Sequence, residues 1–280
     1  MPQKLLRIGF TESILLFIYW LNTKGNNELD GAKRDKIKWL YTTSGYYDKT
    51  QVGNYFNVTH SDGDTEVYHT YMRTILDFIK HSDICAYTMF VLNDFSSFKN
   101  ELNEFRNLLN SRIEGSITRA NIYSFIENRK ILIISPFAPL MKSQIESGNC
   151  KKIFDTFPQV DNIAIYKFPY TFFNNGPDNN ILETNTNIFN DIIHTVKDEY
   201  ESILISCGAY SNILAKKFYD MGKNVCTIGG ELQGFFGILS KREKFYNKLD
   251  DNVHLDYWIT SIPDEYKPHD YMKIEDGCYW

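Results

Sequence analysis

Two uninterrupted apolar runs, Ile131-Leu132-Ile133-Ile134 and Ile203-Leu204-Ile205, most limit what this chain can fold into. Neither alternates with polar residues, so neither suits a strand with one wet face. Such runs read as strands covered on both sides, the usual condition of a parallel sheet. The first follows Lys130 and stops at Ser135-Pro136; the second leads into Ser206-Cys207-Gly208. A helical stretch over 212–221 comes next and meets Gly222, placed where a helix end favours positive φ. Val225-Cys226-Thr227-Ile228 then reads as a strand that ends at Gly229-Gly230. Strand, glycine turn, helix, glycine stop and strand make a βαβ unit.

Weaker strands are expected at 162–166 and 84–90. Helical periodicity covers 9–22 (with Thr11 as N-cap), 66–81, 98–109, a segment ending near Asn128, and 187–200. The polar stretches 22–34 and 45–64 read as loops. No internal repeat or Pro/Ser-rich linker interrupts the chain. The expected fold is α/β and Rossmann-like: a mostly parallel sheet flanked by helices in one compact domain, 1–280. Residues 1–128 form its more helical part and 129–280 its Rossmann-like half.

Composition removes several function classes. Hydrophobic residues make up 43% of the 280, enough for a sizeable core, so wholesale disorder is excluded. With 30 basic against 35 acidic residues the net charge is −5, and no basic excess is present to hold nucleic acid. The longest apolar stretch, Ile14 to Leu21, falls short of the roughly 20 residues of a membrane span. It follows Lys4 and Arg7 as a signal peptide would, but it carries Tyr19 and Trp20 and no small-x-small cleavage site comes after it. A cytoplasmic protein is expected. The five cysteines contain no CxxC and read as buried thiols in a reducing compartment. The six histidines show no HxxxH spacing, so a zinc site is not expected. The 19 Tyr and 20 Phe suit core filling, or surfaces that meet sugars and bases.

Ligands of an open α/β sheet bind outside the carboxyl ends of its strands. Three segments stand at such ends: Ser135–Pro139, Cys207–Ser211 and Gly229–Gln233. Gly208 permits a tight turn, after which exposed N–H groups of Ala209 to Asn212 would face an anion at a helix N-terminus. Ordinary βα-turn glycines are the competing reading. GxxxxGK[ST] and GxGxxG are both absent, which argues against P-loop and dinucleotide enzymes. No acidic residue ends the strand at Ile228-Gly229, which argues against a methyltransferase. Arg7 and Glu12 flank Gly9. Arg242 follows Phe235-Phe236-Gly237-Ile238, where its fork suits a phosphate. Asp62-Gly63-Asp64 reads as a metal pair or, more plainly, as a solvated turn.

The ordered set Ile203-Leu204-Ile205-Ser206-Cys207-Gly208-Ala209-Tyr210-Ser211, Gly222-Lys223, Ile228-Gly229-Gly230-Glu231-Leu232-Gln233 and Phe236-Gly237-Ile238 resembles a polysaccharide-associated glycosyltransferase-like family. Also similar are Arg7-Ile8-Gly9 with Glu12, Leu132 to Phe137 with Gln144, and the stretch Glu275 to Trp280, so the likeness spans nearly the whole chain. That family looks related to the GT-D class of glycosyltransferases, which have a Rossmann-like fold and use nucleotide-sugar donors. The resemblance implies Glu12 as a catalytic carboxylate; Glu231, which stands where the pattern has a small residue, is the second candidate by general-base logic. Around the donor the resemblance implies Arg7, Gly9, Ser135, Phe137, Gly208, Ala209, Tyr210, Gly229, Gly230, Gln233 and Arg242. The best-described GT-D enzymes carry an Asp-x-Glu for metal and donor. Phe10-Thr11-Glu12 keeps only the Glu, and one carboxylate seldom holds Mg²⁺ or Mn²⁺ without help, so no metal is expected to be required. The Asn-, Lys-, Ile- and Tyr-rich composition is compatible with an AT-rich genome, including that of a large DNA virus that builds its own glycans.

The expected partners are therefore a UDP-sugar, xylose being the first sugar to consider, and a glycan hydroxyl. A non-catalytic nucleotide-sugar or polysaccharide-binding module is the alternative, favoured by the missing Asp. Tyr279 and Trp280 are costly to leave in water, at roughly 1.5–3 kcal/mol each. They are expected to dock, either as a core plug or beside the site as a stacking face.

Overall fold

The computed structural model describes residues 1–24, 31–33, 66–87, 97–171, 177–197, 199–241 and 255–280. Among these, seven strands form one parallel sheet flanked by helices. The strands are β1 (Lys4–Ile8), β2 (Ile84–Tyr87), β3 (Ile113–Glu114), β4 (Lys130–Ser135), β5 (Asn162–Lys167), β6 (Ser202–Ile205) and β7 (Asn224–Thr227), in the order β3-β2-β1-β7-β6-β4-β5. The principal helices are α1 (Phe10–Thr23), α2 (Glu66–Ile79), α3 (Lys99–Leu109), α4 (Arg119–Ile126), α5 (Ala138–Glu146), α6 (Asn149–Ile153), α7 (Ile181–Thr195), α8 (Ser211–Asp220) and α9 (Leu232–Phe235). The α/β, Rossmann-like expectation holds. Packing gathers the chain into two compact units: 1–117, 171–191 and 208–225 in the first, and 118–170, 192–207 and 226–280 in the second.

In the first unit the stretch that imitates a signal peptide is a helix buried on every side. Each residue of α1 from Glu12 to Leu21 is buried, which explains its all-round apolarity. Phe17 meets Phe98 and Phe105 edge-on at 5.9 and 5.6 Å, and Trp20 lies 5.0 Å from Phe105. Buried tyrosines are tolerable because their hydroxyls find backbone acceptors. Tyr87 donates to the Ser13 carbonyl at 2.5 Å and Tyr71 to that of Ala209 at 2.8 Å.

Lys4 shows why β1 escapes a reading of periodicity. Two of the five residues of Lys4-Leu5-Leu6-Arg7-Ile8 are charged, yet Lys4 is buried. Its Nζ donates to the carbonyls of Phe78 and Lys80, both at 2.7 Å, and caps the C-terminal end of α2. The Phe78 and Tyr219 rings each lie 5.1 Å from the ammonium. Burial pulls the Lys4 pKa below the ordinary lysine value, and Asp83 opposes that shift.

The second unit holds the two apolar runs. β4 pairs in register with β5 (Ile131 beside Ile163) and with β6 (Leu132 beside Ile203). Gln144 ties α5 to the following loops. Its Nε2 donates to the Gly237 and Tyr257 carbonyls at 3.0 and 2.9 Å, and its Oε1 accepts from Asn149. Gly237, at φ +74°, has no room for a side chain, since a Cβ would lie 2.4 Å from Ile153 Cδ1 and 2.9 Å from Gln144 Nε2. The Gln144 and Phe236-Gly237-Ile238 pieces of the sequence pattern are thus one packing unit.

Several boundaries differ from expectation. Gly9, not Thr11, is the N-cap of α1, because β1 runs to Ile8 and leaves a single residue to turn the chain. α7 spans 181–195 rather than 187–200, because Asn180 Oδ1 accepts from the amides of Leu182 and Glu183 and starts the helix early. β3 and helices α5 and α6 also lacked a clear periodic signal. Gly222 does close α8, at φ +81°: the amides of Gly222 and Lys223 reach back to Tyr219 and Phe218 in a Schellman motif. Positions 45–64 and 88–90 of the sequence reading lie outside the described residues.

All five cysteines are unbridged, and Cys85, Cys150, Cys207 and Cys226 are buried. Burial pushes the thiols of Cys85 and Cys150 up to about 12, and that of Cys226 further. Above the ordinary thiol value of 9.0 the unfolded chain loses protons that the native state keeps, so stability falls as pH rises. Each such thiol should steepen the loss by about 1.4 kcal/mol per pH unit. Urea unfolding at pH 8, 9 and 10 checks this. Cys150→Ala should flatten the slope above pH 9 by that amount, and an unchanged slope would mean that the native thiol titrates freely.

Candidate functional site

In the first unit β1 delivers its carboxyl end directly into α1. Glu12 stands in the first turn of that helix, where the helix dipole favours an anion, and is only 8% exposed. Its carboxylate folds back over the Gly9 α-carbon. A Cβ at position 9 would lie 2.0 Å from Glu12 Oε2, so only glycine leaves the carboxylate there. Arg7, one residue inside the strand, is half-buried.

The glycine turn before α8 lies beside this strand end. Asn212 Nδ2 donates to the Arg7 carbonyl at 3.2 Å, and the Tyr71 hydroxyl holds the Ala209 carbonyl. Gly208 has φ +59°, a conformation that favours glycine, and it opens a short 3₁₀ turn, Gly208–Tyr210, that runs into α8. The expectation of an exposed turn needs correction. Gly208 is exposed, but Ala209, Tyr210, Ser211 and Asn212 are buried, because the 3₁₀ turn directs their side chains into the unit.

In the second unit the ends of β4 and β6 and the turn after β7 are joined by hydrogen bonds. The Ser206 amide donates to Ile134, the Ile228 amide to Ile205, and the Ser206 hydroxyl to the Gly229 carbonyl at 3.0 Å. Ser135 is buried, and its hydroxyl accepts from the Phe137 amide at 3.2 Å, which closes the turn into α5. Gly230 and Glu231 follow Gly229 into α9, and both are half-buried. Gln233, on α9, is 1% exposed. Its Nε2 donates to the Tyr279 carbonyl at 3.1 Å, while its Oε1 is buried with no hydrogen-bond partner.

The 277–280 segment docks on this region. Trp280 packs on Phe137, Tyr170 and Tyr271 with ring centroids 6.2, 5.9 and 5.5 Å away. Its Nε1 donates to the Tyr266 carbonyl at 2.6 Å, and Tyr266 stacks on Phe137 at 6.4 Å. Lys167 lies 4.4 Å from the Tyr266 ring. Phe137 is therefore an enclosed ring, 5% exposed, in an aromatic cluster at the end of β4.

The structure thus groups Arg7, Gly9, Glu12, Gly208, Ala209 and Tyr210 in one unit, and Ser135, Phe137, Gly229, Gly230, Glu231 and Gln233 in the other. Arg242, Asp62 and Asp64 lie outside the described residues. Sequence reasoning missed Tyr71, Tyr170 and Tyr266, and it used only the backbone amide of Asn212, not the side chain that bonds the Arg7 carbonyl. Asn212 carried a signal, a polar residue opening a helix after a glycine turn. The tyrosines had none, because their roles rest on contacts remote in sequence. Among the described residues no cluster of three or more His, Cys, Asp or Glu side chains is arranged for a metal ion. No helix there is long and apolar enough to cross a membrane.

The fold is that of a parallel, Rossmann-like α/β protein. No protein-family model, curated protein or solved structure matches the chain. The arrangement itself yields a stability test. Trp280→Ala should cost about 3–5 kcal/mol in urea unfolding, the range for deleting a buried large aromatic. Trp280→Phe should cost less, and a Trp280→Ala value near zero would show that the segment is not docked.

Proposed function

We propose that this protein is a glycosyltransferase that moves a sugar from a UDP-sugar to a glycan hydroxyl with inversion. The observation that carries the reading is the 3.2 Å hydrogen bond from Asn212 to the Arg7 carbonyl. It sets the Gly208 turn next to the strand end that leads into Gly9 and Glu12. A carboxylate, a cation and an exposed glycine turn at a helix start are what the chemistry asks for. Glu12 takes the proton of the acceptor hydroxyl as the oxygen attacks the anomeric carbon. The bond from that carbon to the diphosphate breaks, and the electron pair leaves with UDP. Arg7 and the exposed Gly208 turn stabilise the departing charge.

Glu231 is the second candidate base, at the start of α9. In this reading no divalent metal is required, because Phe10 stands where related enzymes carry the Asp. Turnover should then survive EDTA at least in part; full loss with rescue by Mn²⁺ would overturn this point. The reading puts the protein in the cytoplasm, the reducing compartment that five unbridged cysteines favour. The replacement at Phe10 equally favours a binding module that has lost catalysis.

Incubation with UDP-, GDP- and TDP-sugars, UDP-xylose among the first, separates the two. The enzyme should release UDP and should be stabilised thermally by UDP. Glu12→Gln should lower turnover by about 10²–10⁴-fold and keep the UDP-induced shift. Gly9→Ala, by displacing the same carboxylate, should lower turnover in the same direction. Binding of UDP-sugar without turnover would establish the module, and no response to any nucleotide would remove both readings.

A further inference from the structure

Among the described residues Glu12 is the only buried acidic side chain, 8% exposed, and no hydrogen bond or ion pair there reaches its carboxylate. Lys4, the other buried charge of this unit, has two carbonyl partners. A carboxylate held out of water without a donor is costly, and a ligand that brings donors relieves that cost. Its two oxygens face one place. A Cβ at position 9 would lie 2.0 Å from Oε2 and 3.0 Å from Oε1, so both sit over the Gly9 α-carbon, in front of the first turn of α1. Gly9 is the N-cap and has no side chain to accept from that turn, whose leading amides lack an intrahelical carbonyl. Two acceptor oxygens and a set of backbone donors therefore meet at the end of β1.

This pairing sorts ligands by charge. An anion accepts from the amides but is repelled by the carboxylate. A cation satisfies the carboxylate but has no lone pair for the amides. A hydroxyl is donor and acceptor at once and carries no charge. A single hydroxyl leaves the second carboxylate oxygen unmet, whereas two on neighbouring carbons reach both. We infer that this strand end binds a neutral sugar through a vicinal pair of hydroxyls, both donating to Glu12. The inference deepens the proposed function and rests on it for one point, that one of the pair is the hydroxyl to be glycosylated. The acceptor is then an uncharged glycan whose reacting hydroxyl has a free neighbour.

Titration of the wild-type protein with the methyl glycosides of glucose, galactose and xylose, followed by ligand NMR, tests the site without needing turnover. At least one glycoside should bind. Removing either hydroxyl of the recognised pair, or replacing it by an amino group, should weaken binding at least about tenfold. Glu12→Gln, which turns one acceptor oxygen into a donor, should erase the preference for the pair, and Gly9→Ala should do the same by displacing the carboxylate. The deoxy series on the wild-type protein stands where a variant does not fold. Binding of no glycoside, equal binding of the deoxy compounds, or a preference that survives in folded Glu12→Gln overturns the inference. Expulsion of the glycoside by UDP but not by 2′-deoxy-UDP assigns the site to a nucleotide ribose and also overturns it. Full-rate transfer to an acceptor with an isolated hydroxyl overturns it while leaving the glycosyltransferase reading intact. Binding of the pair that depends on Glu12, without transfer from any nucleotide sugar, supports the subsite and removes the catalytic reading.

Discussion

Parallel strands cannot be joined by tight hairpins, so each crossover passes over a face of the sheet and covers it. That requirement is met along this chain. It makes β4 and β6 continuous apolar runs, because neither of their faces meets water. It also makes α1 apolar all round, because neighbouring side chains enclose it from Glu12 to Leu21. Once both faces are closed, the carboxyl ends of the strands are where the chain can gather polar groups. The candidate residues are found at those ends.

The same closure dictates how polar groups are handled. Lys4 is tolerated inside because helix carbonyls accept from its ammonium and two rings flank it. Tyr71, Tyr87 and Gln144 place every donor shown for them on a backbone carbonyl. Against that pattern the Oε1 of Gln233 stands out, since a buried acceptor without a donor is a standing cost. Gly9 is a different kind of concession. There the chain gives up a side chain so that the Glu12 carboxylate can sit over its backbone.

Some of the candidate site was legible before any coordinates. Glycine at 208 with positive φ, and strand ends at 135, 205 and 227, follow from apolar runs that stop at turn residues. Trp280 was expected to dock, and it does. What could not be read was which surface it docks on, or that Tyr279 would lend its carbonyl to Gln233. Those partners are 143 and 46 residues away in sequence. Periodicity carries no information over such separations.

The sequence by itself determined the α/β class and the position of β4, because burial on two faces leaves a local mark that needs no partner to be seen. It also determined the glycine stop at 222, where the φ requirement is local. Only the tertiary structure decided that 4–8 is a strand inside the sheet. Lys4 and Arg7 break the apolar pattern, and the helix end that absorbs the Lys4 ammonium is brought in from residues 78–80. It alone decided that Gln144 and Gly237 are packing partners. The division follows from range: propensity and patterning act over a few residues, whereas satisfying a buried polar group depends on whatever the fold places beside it.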